Sequence, residues 1–232
     1  MVPVIASFLI KLTIDIVKSI DFATEIYLKR VEGPPTAPLY KPRLGGENLS
    51  RINAISSALS ALFAALYAIG VITLAPISFM PFQVRIADCF MPTAILFGWP
   101  AIIGLTLGCL VANFFGGLGY IDVIGGSFAN MVAGFIAWKI GLRRFQGSWF
   151  VATIVENLTV TAIVGFYLWF ILAIPDAMVN GIVVPGLVVS WVGVFMGSLV
   201  AINVLGYALL RILSRSSVIG LLRSHGLRVY TE

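Results

Sequence analysis

Residues 51–73 carry no charge after Arg51, and long, nearly uncharged apolar stretches recur over 121–141, 148–174 and 185–213. A helix that crosses the hydrocarbon core of a bilayer needs about 20 predominantly apolar residues at about 1.5 Å rise each, and each stretch meets that length. In water, a chain of 232 residues with 59% hydrophobic and 11% charged residues could not bury its apolar side chains. Small domains leave much of their surface solvated, and soluble ones hold about 25% charged residues. The mean hydropathy of +1.02 agrees. The chain reads as an integral membrane protein, one compact bundle rather than two domains.

The remaining segments fill in the organisation. Over 1–30, Lys11, Asp15, Lys18, Glu25 and Lys29 share one helical face opposite Leu9, Ile16, Ile20 and Tyr27, which predicts an amphipathic helix lying on the membrane surface. The opening decapeptide has neither a basic region before it nor a small-residue cleavage site after it, so it is not read as a signal peptide. Residues 31–49 hold Pro34, Pro35, Pro38, Pro42 and a Gly pair, a linker, and Ser50 offers an N-cap to the first span. A Pro-containing loop with Pro76 and Pro81 leads to the 12-residue run 86–97, which is interrupted by Pro92 and followed by Gly98, Trp99 and Pro100. Such a run predicts a short or broken helix, and irregular backbone at membrane depth is tolerated only where protein covers it or it lines a cavity. Residues 100–115 form the next helix, ended by Gly116, Gly117 and Gly119. The expected fold is therefore an all-α bundle of six transmembrane segments over 50–214, with 215–232 as a cytoplasmic tail.

Six crossings place both termini on one side, with Lys41, Arg43, Arg51, Lys139, Arg143, Arg144, Arg211, Arg215 and Arg223. The other side holds Arg85 alongside Asp88, Asp122 and Asp176. Since Lys and Arg concentrate in cytoplasmic loops, both termini are expected in the cytoplasm of a multi-pass cell-membrane protein. The same asymmetry accounts for the net charge of +5 without nucleic acid. Cys89 and Cys109 lie in apolar runs with no second thiol or histidine nearby and read as buried hydrophobes, not a disulfide or metal site. The one histidine, His225, is in the tail. No nucleotide-binding or metallohydrolase motif occurs, so no catalytic residue and no cofactor is expected, and any energy for transport comes from a gradient or a partner.

Charged and amide side chains within a bundle are the places to look for function, because a charge at the centre of a membrane helix costs about 2.5–3.5 kcal/mol. Arg85 and Asp88, three residues apart at the start of the short segment, form either an interfacial ion pair or the polar rim of a pocket. Glu156 and Asn157, about a third of the way along the fifth span, face protein or a water-filled cavity; Glu156 either pairs with a basic group or accepts hydrogen bonds from a polar ligand. Asn113, Asp122, Ser127 and Asn130 gather about the third and fourth spans, as interhelical bonds or as ligand contacts. Trp191 and Ser198, on one face of the last span, wall the same cavity, unless Trp191 is an interfacial anchor. On the first span Ala54, Ser57, Ala58, Ala61 and Ala65 make small-residue stripes, and Gly104 and Gly108 repeat the pattern on the third. These serve packing within the chain or docking of a membrane partner.

The stretch 82–138 resembles the QueT family of energy-coupling factor (ECF) transporters, through "VRI" followed by Asp88, "GxxxGCLxAN" over 104–113, a glycine turn, and "DVIxGS" over 122–127. Weaker similarity extends over 50–213. The resemblance implies a six-helix S component with a substrate pocket in its outer half, binding queuosine precursors of the 7-deazaguanine type. It also implies docking through the small residues of the first helix, Ala54, Ala58, Ala61 and Ala65, to a T component driven by two ATPases. The family tends to have glutamate at Asp88 and an acidic residue near Gly197–Ser198; Glu156 is placed to compensate. Other readings are an S component for another vitamin, a membrane scaffold acting through the N-terminal helix and alanine stripes, and a proton-coupled carrier using Glu156.

Overall fold

The computed structural model describes residues 45–78, 85–143, 145–224 and 226–231. The expected surface helix over 1–30 and most of the linker lie outside the described residues. The first helix, α1 (Gly45–Thr73), begins within the segment expected to be linker. A single turn, Ala75–Ser78, follows it.

The short apolar segment is a 3-10 helix over Ile86–Thr93 that continues as one α-helical turn, α2 (Ala94–Phe97). Eight residues at about 2.0 Å and four at about 1.5 Å span about 22 Å, less than the ~30 Å hydrocarbon core. Pro92 lies inside the 3-10 stretch, where its missing N–H and fixed φ disfavour regular α-helix. Gly98, with φ of 62°, breaks the chain from α2 into α3 (Trp99–Gly116). Next come α4 (Tyr120–Gly141) and α5 (Ser148–Ile171), with Gly117 and Gly119 at φ 76° and 93° between α3 and α4. A hairpin, β1 (Ala177–Val179) with β2 (Ile182–Val184), joins α5 to the last helix. Its Asn180-Gly181 turn has both residues at positive φ, the type I′ preference that matches strand twist. The sequence reading did not anticipate this hairpin. The fifth helix ends at Ile171, short of the expected 174.

The last span, α6 (Gly186–Leu213), is not uniform. It is α-helical over Gly186–Ser198, π-helical over Leu199–Gly206, and α-helical again over Tyr207–Leu213. The tail folds as α7 (Ser216–Ser224) and then returns to the bundle. Tyr230 N–H donates to the Leu96 carbonyl at 2.8 Å, and its ring packs edge-on against Trp138 at 5.6 Å.

Five helices are long and apolar enough to cross a membrane: Ala54–Thr73, Trp99–Gly116, Tyr120–Gly141, Ser148–Ile171 and Gly186–Leu213. At most half of each is buried within the protein. Phe114, Ile124, Phe128, Phe166 and Phe170 are among the large apolar side chains left exposed, which is stable in lipid and not in water. This is a helical multi-pass membrane protein.

Packing order follows the small residues. A Cβ on Gly108 would stand 2.7 Å from the Ala64 carbonyl, and one on Gly104 would overlap the Ser60 carbonyl. The glycine stripe of α3 is therefore spent on contact with α1 inside the chain. On α1, Ala54, Ala58, Ala61 and Ala65 are half-buried.

Candidate functional site

Arg85, Asp88, Asn113 and Asp122 stand at or near element ends, whereas Asn130, Glu156 and Asn157 project from the interior of regular helices. Arg85 stands just before the 3-10 helix and Asp88 in its first turn; both are buried. They are not each other's ion pair. The Arg85 guanidinium lies 3.5 Å from Asp122 Oδ1 in the first turn of α4, and its Nη1 points to Cys109 Sγ at 3.9 Å. Asp88 Oδ1 instead accepts a 2.6 Å hydrogen bond from the Tyr67 hydroxyl of α1. Tyr167 of α5 donates to Asp122 Oδ1 at 2.9 Å. Asn113 Nδ2 donates to the Asp122 backbone carbonyl at 2.8 Å, locking the α3–α4 turn.

A small cavity opens among the 3-10 helix, α4, α5 and α6, lined by Arg85, Asp88, Asn130, Val160, Val164, Val194 and Ser198. The centre of a water molecule fits in only about 10 Å³ of it, room for about one water. A bicyclic heterocycle enters only if the valines move. Asn130 Nδ2 is buried with no hydrogen-bond partner among the described residues.

One turn below the cavity, Glu156 is fully buried. Neither of its carboxylate oxygens has a hydrogen-bond partner among the described residues. It shares a stripe of α5 with Val160, Val164 and Tyr167, at steps of four, four and three. Beside it, Asn157 donates to Asn203 Oδ1 across 2.6 Å and accepts from Thr161 at 3.1 Å. Asn203 belongs to the π-helical stretch, and π-turns recur where a helix is shaped for function. The same stretch meets the 3-10 helix at Gly206, where a Cβ would stand 2.8 Å from Pro92 Cγ and 3.0 Å from the Cys89 carbonyl.

Of the residues expected at the site, Arg85, Asp88, Asn130 and Ser198 line one cavity. Asn113 and Asp122 stand behind Arg85 as its support, and Asn157 is committed to Asn203. Trp191 is elsewhere: it packs over Gly165 of α5 and is 37% exposed. Tyr67, Tyr167 and Asn203 were not foreseen. Their signal was a phenol or amide in an apolar helix, which needs a buried partner.

The chain matches the family model described as QueT transporter over residues 57–215. The chain belongs to the QueT transporter family. Comparison with curated proteins and with solved structures finds no match. The family match spans every element that lines the cavity, from the 3-10 helix to α6. A QueT protein is a membrane transport protein, and its task is to bind and release a molecule.

Proposed function

We propose that this protein is the substrate-binding S component of an ECF transporter, taking up a queuosine precursor of the 7-deazaguanine type. The observation that carries the proposal is the cavity bounded by Arg85, Asp88, Asn130 and Ser198 in a chain of the QueT family. A deazaguanine presents a carbonyl acceptor and a row of ring and exocyclic N–H donors. Arg85 and the Asn130 amide supply donors, Asp88 and Ser198 supply acceptors, and the three valines supply apolar walls for the ring faces. Small-molecule sites combine a mostly apolar lining with a few fixed polar groups in this way.

In this reading the short 3-10/α2 segment is the sixth membrane segment, the termini are cytoplasmic, and the cavity lies toward the outer face. A separate T component and its ATPases supply the energy. Ala54, Ala58, Ala61 and Ala65, left half-buried by the intramolecular packing of α1 on α3, are the surface for that T component.

The test is a thermal-shift screen of detergent-purified protein against 7-deazaguanines, queuine, purines and common vitamins. Stabilisation by a 7-deazaguanine, lost in Asp88→Asn, is the expected result. Stabilisation by an unrelated vitamin would keep the S-component mechanism and replace the substrate. Folded protein that binds none of them would favour the scaffold reading.

A further inference from the structure

Where α6 turns into α7, a groove of about 510 Å³ opens at the end of the bundle, sharing no residue with the cavity. Its walls are Trp149 in the first turn of α5, Arg211 and Ile212 at the end of α6, Ser214 and Arg215 at the corner, and Thr231 of the returning tail. Its volume falls within the range of about 300–1,000 Å³ typical of small-molecule sites. No acidic side chain stands in the wall, and neither Arg211 nor Arg215 has an ion pair among the described residues. A cation in the last turn of a helix complements its dipole, which accounts for Arg211. It does not account for Arg215, which lies one residue past the cap Ser214, nor for the tail that closes the groove. Arg223 holds that tail, donating from Nη2 to the Val229 carbonyl at 3.4 Å and to Thr231 Oγ1 at 3.2 Å. Thr231 therefore accepts from a guanidinium and keeps its own hydroxyl hydrogen to donate. Guanidinium planes match phosphate oxygens in pairs, and charge-assisted bonds of this kind are the strong ones.

The groove also meets lipid. Ile212 in its wall is 51% exposed, and Phe150, beside Trp149, is 50% exposed and packs edge-on against Tyr207 of α6 at 5.7 Å. Further along α6, Val204 and Leu205 are exposed too. Because α6 is a membrane-spanning helix that ends in the groove, its terminal arginines stand where long basic side chains reach the membrane interface. A soluble phosphate needs no apolar track leading away from its site; a lipid does.

We propose that this groove binds the phosphate of an anionic phospholipid. Arg211 and Arg215 take its oxygens, Thr231 donates a hydrogen bond, and the acyl chains run past Phe150 and Tyr207 along the α5–α6 seam. The assignment holds whatever molecule the cavity takes.

Native mass spectrometry of the full-length protein in detergent tests it, with phosphatidylglycerol and phosphatidylcholine of the same acyl chains as probes. Both carry a phosphodiester, but only phosphatidylglycerol is net anionic, and it should be retained at least about tenfold more tightly. Arg211→Gln and Arg215→Gln should each weaken its binding about fivefold or more, the scale of one arginine at an anionic membrane surface. Arg143→Gln takes one charge from the same end outside the groove and should leave retention unchanged. Equal retention of the two lipids, or an equal loss in Arg143→Gln, would mean diffuse attraction to a basic surface and would overturn the inference. Inorganic phosphate at millimolar concentration should not displace phosphatidylglycerol; displacement would make a free phosphate the ligand and overturn the lipid assignment. Glu232, next to Thr231, lies outside the described residues. A preference for phosphatidylglycerol that emerges only in Glu232→Gln would put the chain's own carboxylate in the groove and overturn the inference as well.

Discussion

Asp88 owes its position to Tyr67, whose hydroxyl reaches it from α1 across 2.6 Å, and that single bond ties the first helix to the cavity wall. Tyr67→Phe removes the donor and leaves a carboxylate oxygen buried, so a loss of about 1–3 kcal/mol in stability is expected. A lower melting temperature in detergent and weakened ligand binding check it. Asp122→Asn should do more harm than Asp88→Asn to folding and less to ligand contact. Asp122 takes the Arg85 ion pair and the Tyr167 hydroxyl yet does not line the cavity. Melting temperature and affinity, measured for both variants, should move in opposite order. At this scale the sequence was informative wherever a charge or amide interrupted an apolar run: Arg85, Asp88, Asn130 and Glu156 announced themselves. It did not say which acid Arg85 chooses. Asp88 is three residues away on the same segment, but Asp122 is brought alongside only by the packing of α3 and α4. Nor did it separate Trp191 from Ser198, because two turns of difference in depth decide which of them meets the cavity and which lies over Gly165.

At the scale of elements, two departures from regular α-helix face each other, the 3-10 stretch with Pro92 and the π stretch around Asn203. Their contact is at Gly206, where any side chain would run into Pro92 and the Cys89 carbonyl. Gly206→Val should push the two segments apart; overpacking of this kind costs about 1–3 kcal/mol. Because Asp88 lies on the 3-10 stretch and Ser198 immediately before the π stretch, binding should weaken along with the melting temperature. A control on the lipid-facing side of the π stretch, Val204→Leu, should leave both unchanged. Pro92 in a run too short to cross a membrane made the first irregular segment legible. The π stretch was not, since Leu199–Gly206 reads as an uninterrupted apolar helix. The contacts that flank it, the Asn157–Asn203 bond and the approach of Gly206 to Pro92, are tertiary and leave no local mark in the sequence. The hairpin between α5 and α6 carried a local signal, Asn180-Gly181 between β-branched residues, which was overlooked beside the longer apolar spans.

At the scale of the whole molecule, the charges sort to the two ends. Lys139, Arg143, Arg211, Arg215 and Arg223 lie at the end where α4 and α6 finish and α7 follows, while Asp122 and Asp176 lie at the other. In a background of Cys89→Ser and Cys109→Ala, a single cysteine at Met178 in the hairpin should react with a membrane-impermeant maleimide in intact cells. One at Arg223 should react only after lysis, and the reverse pattern would invert the molecule. The five long apolar helices and their order were readable from apolar length, as was the shortness of the segment between the first two. The division of labour among small residues was not. Both Gly104/Gly108 and the α1 alanines carried the same signature, and only the fold shows the glycines turned inward against Ser60 and Ala64.

The central claim is that the space between the 3-10 helix and α4 to α6 is where the transported molecule sits. Val160→Phe tests it most directly, because it fills that space and alters none of the polar groups around it. Titration of the stabilising ligand into Val160→Phe protein that remains folded should show binding abolished, with the melting temperature lowered by no more than overpacking of about 1–3 kcal/mol accounts for. Wild-type affinity in the filled variant would place the ligand somewhere else and contradict the account.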